Sequence, residues 1–332
     1  MKNHRFPFHA FVCALCLVSC ERQEAADQSV ASAAPVKPRP HAEILKVVDF
    51  SLFPQVEGAS RHYADAVRVG FSLPKKDASD VQRSIQAMEQ FLSAHGWKVA
   101  PEGAAWTEDG GEVFYLKDSV VIQAVVGVTP SFGGRQPDVN AGLFLAGDVD
   151  ARTLPRVPGS VLQRESRVSS MVICPVDLLE VRKFNKEQLS AQGWLLYRDY
   201  FPGYEPKEEE LEQTQSFTQN GATLRFRLTR KDGNTEVSLN SGVLSASLPI
   251  MEEPDMLKLR ESPPLVSYWV RKASADVIAW HMETLRKLGW SGKEVPATEE
   301  RTTRHEFQKT GNKPLYLVLL PSKNDTIVQL HE

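Results

Sequence analysis

The sequence predicts an α+β fold of three tandem two-layer modules, each a helix packed on a mainly antiparallel sheet. Three observations predict it: a helix-ending motif at nearly constant spacing, an apolar stripe at helical period before each copy, and alternating segments around each helix. The motif is seen in Leu92-Ser93-Ala94-His95-Gly96-Trp97, Leu189-Ser190-Ala191-Gln192-Gly193-Trp194 and Leu285-Arg286-Lys287-Leu288-Gly289-Trp290. Its tryptophans lie 97 and then 96 residues apart, a regularity that argues for internal duplication.

Each copy is built around a helix. Asp80, Asp177 and Asp276 open these helices, and in the first Val81, Ile85, Met88 and Leu92 fall on one face. Ile278, Met282 and Leu285 repeat that stripe in the third, while Leu178, Val181 and Leu189 make a poorer one in the second. A strand precedes each helix. Val67, Val69, Phe71 and Leu73 alternate with polar or small residues, which means one buried face. Met171 to Ile173 and Val266 to Val270 take the same place later.

Strands also follow each helix. Leu224, Phe226 and Leu228 alternate with Arg225, Arg227 and Thr229, a turn forms around Asp232-Gly233, and Val237 and Leu239 start the return. Residues 315–320 and 326–330 match this in the third copy, and 120–128 with 143–145 in the first. The recurring Gly96-Trp97, Gly193-Trp194 and Gly289-Trp290 have a structural explanation. A helix commonly ends on a left-handed Gly, because no Cβ is present to clash, and the next residue packs back on the last turn. The other reading has the indoles stacking on sugar rings; an apolar body of that size belongs more often inside.

The expected boundaries are a signal peptide at 1–19, a lipidated Cys with a flexible tether at 20–45, and modules at 46–150, 151–247 and 248–332. The leader carries the first two. Lys2 and Arg5 precede an apolar stretch at 8–18 that is shorter than the roughly 20 residues needed to span hydrocarbon. It closes in Leu17-Val18-Ser19-Cys20, which resembles the bacterial lipobox. That resemblance implies a lipid on Cys20 and a place in the cell envelope, anchored to a membrane. Glu21 follows where such lipoproteins carry Asp when retained at the inner membrane, which implies the outer membrane facing the periplasm. The Ala-, Ser- and Pro-rich residues 21–41 then read as the tether. The remainder resembles multi-repeat envelope lipoproteins of unassigned role, and its element order is similar to helix-grip domains of barrel-assembly accessory lipoproteins.

Composition excludes several functions. The net charge is −3, Lys2 and Arg5 fall in the leader, and no long basic run exists, so nucleic acid is not an expected partner. Cys13, Cys16 and Cys20 belong to the leader or the lipid site, which leaves Cys174 without an intrachain disulfide partner. No histidines pair at metal-binding spacing, and no nucleophile elbow or phosphate-cradling loop appears. The expectation is therefore no catalytic residue, no metal and no cofactor. His95, at the end of the first helix, is explained by the helix dipole, since Gln192 and Leu288 replace it elsewhere.

Two insertions interrupt the copies, at 129–140 and 197–213. The second holds Tyr197, Tyr200, Phe201 and Tyr204 before a Glu run, aromatics and charge that suit a protein-contact patch. A solvated hairpin connection explains the same residues. The sequence-based expectation is a non-enzymatic envelope lipoprotein acting as a scaffold or protein-interaction module. A binder of small ligands such as sugars or peptides is the alternative, and a hydrolase assembled from distant residues the third reading.

Overall fold

A computed structural model describes residues 37–101, 106–129, 137–199, 212–246, 248–260, 264–296, 302–322 and 325–332, which all belong to one compact unit. The expected leader, Cys20, Tyr200, Phe201 and Tyr204 lie outside the described residues.

The described chain opens with α1 (His41–Ile44) and a hairpin of β1 (Ser60–Ala64) and β2 (Arg68–Pro74). Then come α2 (Ser79–Ala94), β3 (Lys98–Val99), β4 (Gly111–Lys117), β5 (Val120–Thr129) and β6 (Asp138–Gly147). The second segment has β7 (Val161–Glu165), β8 (Ser169–Cys174), α3 (Leu178–Ala191), β9 (Leu195–Asp199), β10 (Thr214–Gln219), β11 (Ala222–Lys231) and β12 (Asn234–Val243). The third has β13 (Asp255–Arg260), β14 (Leu265–Val270), α4 (Ser274–Lys287), β15 (Ser291–Val295), β16 (Thr303–Gln308), β17 (Leu315–Ser322) and β18 (Asp325–His331).

This architecture corrects the expected α+β fold of three two-layer modules. Among the described residues more than twice as many lie in strands as in helices, and the strands form two sheets, not three. One is six-stranded, in the order β1-β2-β6-β5-β4-β3. The other is twelve-stranded and runs β15-β16-β17-β18-β14-β13-β9-β10-β11-β12-β8-β7. Its two halves meet where β9 and β13 pair in parallel, Lys258 opposite Arg198 and Leu259 opposite Asp199. Two strand edges that would otherwise stay open satisfy each other there. The strand content exceeds the expectation in part because β1, β7 and β15 were not legible as strands: their residues are largely exposed, without a clean apolar alternation.

A common order nevertheless recurs. In each segment a hairpin precedes the helix, a meander follows it, and the last meander strand returns beside the second hairpin strand. Two-residue turns with both residues left-handed close the meanders, Asp118-Ser119, Asn220-Gly221 and Asp232-Gly233. Three large apolar clusters follow in chain order, and a smaller fourth brings Phe114, Val121 and Ala146 together with Val168. The first gathers Phe50, Phe53, Leu73, Met88 and Leu143, with Phe53 against Phe71 at 5.6 Å and Phe91 at 5.2 Å. The second gathers Val172, Leu178, Leu189, Phe217 and Leu228, and the third Tyr197, Tyr268, Leu285, Phe307 and Leu317.

The helices bury the faces their periodicity foretold, with one shift. Val81, Ile85, Met88 and Leu92 are buried in α2, and Leu178, Val181 and Leu189 in α3. In α4 the deepest line is Val277, His281 and Leu285, each four residues on, with Ile278 and Met282 only partly covered. The three helix starts differ. Asp177 caps α3 by accepting from Glu180 N–H at 2.9 Å. Asp80 sits inside α2 and accepts from Lys76 N–H at 2.6 Å and Asp77 N–H at 3.1 Å, while also contacting Arg83. Those backbone donors, then Arg83, hold its carboxyl down to about 2. No side chain caps α4.

Candidate functional site

The three helix ends share one geometry. Gly96, Gly193 and Gly289 have φ of 77°, 86° and 84°. Trp97, Trp194 and Trp290 each donate N–H to the carbonyl of the Leu five residues back, Leu92, Leu189 and Leu285, at 3.0 Å. Trp97 and Trp194 are buried in their clusters, and Trp290 is half-covered, with the Lys309 ammonium 5.9 Å from its ring centre. These six residues are helix terminators. Their indoles are turned to the protein.

Tyr197 is buried as well, inside the third apolar cluster, where its hydroxyl accepts from Arg225 Nε at 3.5 Å. It is packing for the β9 edge and does not present an aromatic surface.

A sizeable concavity lies elsewhere, where the β10–β11 turn, the arm at 244–246 and 248–253 and the start of β14 converge. It encloses about 520 Å³, within the roughly 300–1,000 Å³ typical of small-ligand sites. Leu195 on β9, Leu259 on β13 and Val266 on β14 supply apolar wall, and Leu244, Leu248, Ile250 and Met251 of the arm supply the rest. Polar groups stand around it: Lys37, Asn220, Glu252, Glu253 and Arg260.

Local hydrogen bonds explain why the arm holds its place. Leu244 N–H donates to Gly221 O at 2.9 Å. At the other end Met251 N–H donates to Tyr268 Oη at 3.3 Å, and that hydroxyl lies 2.7 Å from His281 Nε2. The hydroxyl accepts from Met251 and can donate its own proton to His281 Nε2 when the imidazole is neutral with its proton on Nδ1. Burial favours that state, pushing the imidazole down to about 4 and the phenol well above its usual value. The Nδ1 of His281 is buried without a partner.

The chain end that leads toward the expected anchor is fixed at the same place. Asn220 Nδ2 donates to Pro38 O at 2.9 Å, and Arg39 N–H to Asp148 Oδ2 at 3.0 Å. His41 Nε2 donates to Leu244 O at 2.7 Å, with its ring lying where any Cβ on residue 221 would fall. A left-handed Gly221 is therefore required twice, by its φ of 82° and by His41. Residues 37–44, which composition places in the tether, belong to the folded body.

Neither the cavity nor the clamp was legible in the sequence. Asn220-Gly221 is a hairpin signal that could have marked the turn, but nothing local shows that residues 244–246, 248–253 and 37–41 converge on it. Among the described residues no group of three or more His, Cys, Asp or Glu side chains is arranged for a metal. Among them, too, no helix is long and apolar enough to cross a membrane. Cys174 is buried, and burial raises its thiol above the usual range, the opposite of an activated nucleophile. Comparison with protein-family models, with curated proteins and with solved structures gives no match.

Proposed function

We propose that this chain is a non-enzymatic binding lipoprotein of the cell envelope, held to a membrane by lipid on Cys20, whose ligand is a small apolar or amphipathic molecule. The observation that carries the binding role is the 520 Å³ cavity, whose apolar wall is bordered by charged and polar groups. The lipid anchor is supported by the residues of the leader.

The test is calorimetric titration of the mature chain with laurate and with trileucine. Saturable binding of either, lost when Ile250→Trp fills the cavity and the fold is unchanged by circular dichroism, is the expected result. Heat that persists in Ile250→Trp and Leu248→Trp alike removes the cavity from the proposal. Labelled palmitate should enter the full-length chain and not its Cys20→Ser variant.

A scaffold role is the second reading, and one observation favours it. β7 is the terminal strand of the twelve-stranded sheet and leaves Val161 and Leu162 exposed at 59% and 45%. An unpaired edge with apolar side chains is a template for strand addition by another protein. Crosslinking through residue 161, without any response to small ligands, would favour this reading.

A further inference from the structure

One tryptophan is placed unlike the others. Trp269 lies on β14 between Tyr268 and Val270, which point into the third cluster, so strand alternation sends its indole to the opposite face. It is 43% exposed, whereas the other described tryptophans are buried or half-buried. Around it is a shallow depression of about 280 Å³, lined by Asp255, Met256, Trp269, Val270, Arg271 and Asp325.

The depression forms where three strand ends meet. Asp255 at the start of β13 pairs directly with Trp269, and Thr326 at the start of β18 pairs with Val270. Register slips between Asp255 and Lys258, and within that bulge Met256 takes a left-handed backbone with φ of 48°. A non-glycine residue there costs about 1 kcal/mol or more, and Met256 is left 54% exposed. Arg271 Nε stands 3.7 Å from Asp255 Oδ2, an ion pair open to solvent.

We propose that this depression is a binding site for a pyranose sugar ring, stacked on the Trp269 indole, with its hydroxyls donating to Asp255 and Asp325 and accepting from Arg271. A pyranose has one face of C–H bonds and a rim of hydroxyls, the complement of an indole hemmed by carboxylates and a guanidinium. The apolar area is one ring and one thioether, far below the roughly 800 Å² per partner of a stable protein interface. The site is separate from the arm-covered cavity and does not depend on the function proposed for it.

The test is NMR of the tryptophan indole N–H signals in the mature chain, titrated with tri-N-acetylglucosamine, with maltotriose and with tetralysine. The Trp269 signal, assigned by Trp269→Phe, should shift saturably with one of the sugars. Binding should be lost in Trp269→Ala and weakened about tenfold in Arg271→Ala. Unchanged Trp97 and Trp194 signals show that each variant is folded. No shift with either sugar, a shift retained in Trp269→Ala, or saturation by tetralysine alone overturns the proposal.

Discussion

The first segment has a sheet of its own, while the second and third share one. Their strand orders are the same, and their helices end in the same Gly-Trp hydrogen bond. What differs is an edge. In the second segment β9 lies beside β13 of the third, and two parallel residue pairs turn two six-stranded sheets into one of twelve. The counterpart strand in the first segment, β3, spans only Lys98–Val99, pairs with β4 alone and offers no length for a neighbour. Identical local instructions thus yield separate or merged sheets according to the length of one edge strand.

The largest expected effect tests whether the shared sheet behaves as one body. Phe217→Ala, which empties a fully buried site in the second cluster, should cost about 3–5 kcal/mol. Hydrogen exchange should then quicken in β15 to β18 as well as in β7 to β12. Met88→Ala, fully buried under the six-stranded sheet, should cost about 2–5 kcal/mol and quicken exchange chiefly in β1 to β6. Equal spread from both substitutions would break the distinction between the sheets.

The next effect separates the third segment by pH. His281 is fully buried and held neutral, with its value lowered by burial from 6.5 to about 4. Unfolded chain therefore binds a proton that folded chain refuses, so stability is complete above about pH 6.5 and falls as pH drops toward 4. The loss approaches about 3 kcal/mol. His305 on β16 moves in the same direction, its value lowered by burial and only partly restored by Glu294. Thermal melts between pH 7 and 4 should show a steeper decline for the native chain than for His281→Gln, whose amide still accepts from Tyr268. Parallel curves would show that His281 does not carry the acid sensitivity.

The smallest effect compares helix starts. Asp177→Ala removes a cap and should cost about 1 kcal/mol. Asp276→Ala, in the first turn of α4 without a capping bond, should cost only the dipole contribution of about 0.3–1 kcal/mol. Urea midpoints would order the two, and a reversal would mean that Asp276 has a role beyond its helix.

Much of the local structure was readable because it follows from short-range chemistry. The buried faces of α2 and α3 follow from residues three and four apart, and the Gly-Trp ends from the steric freedom of glycine. The Asp232-Gly233 turn was legible for the same reason. In α4 the stripe was misplaced by one position, because His281 counts as polar in a periodicity argument and is in fact buried against Tyr268. The candidate sites were not legible. Tyr197 stood out as a docking residue by composition, yet its position on β9 turns it inward, and Trp269 was read only as one member of a strand.

By itself, then, the sequence determined where the three long helices start and stop, which faces α2 and α3 bury, and that Asp232-Gly233 turns one strand into the next. These depend on torsional preferences and apolar period within a few residues. Only the tertiary structure decided that β9 and β13 join, that residues 37–41 clamp onto the Asn220-Gly221 turn, and that one indole faces outward. Each of these joins or orients groups distant along the chain, and unpaired backbone edges and buried polar atoms find such partners only once the chain has collapsed.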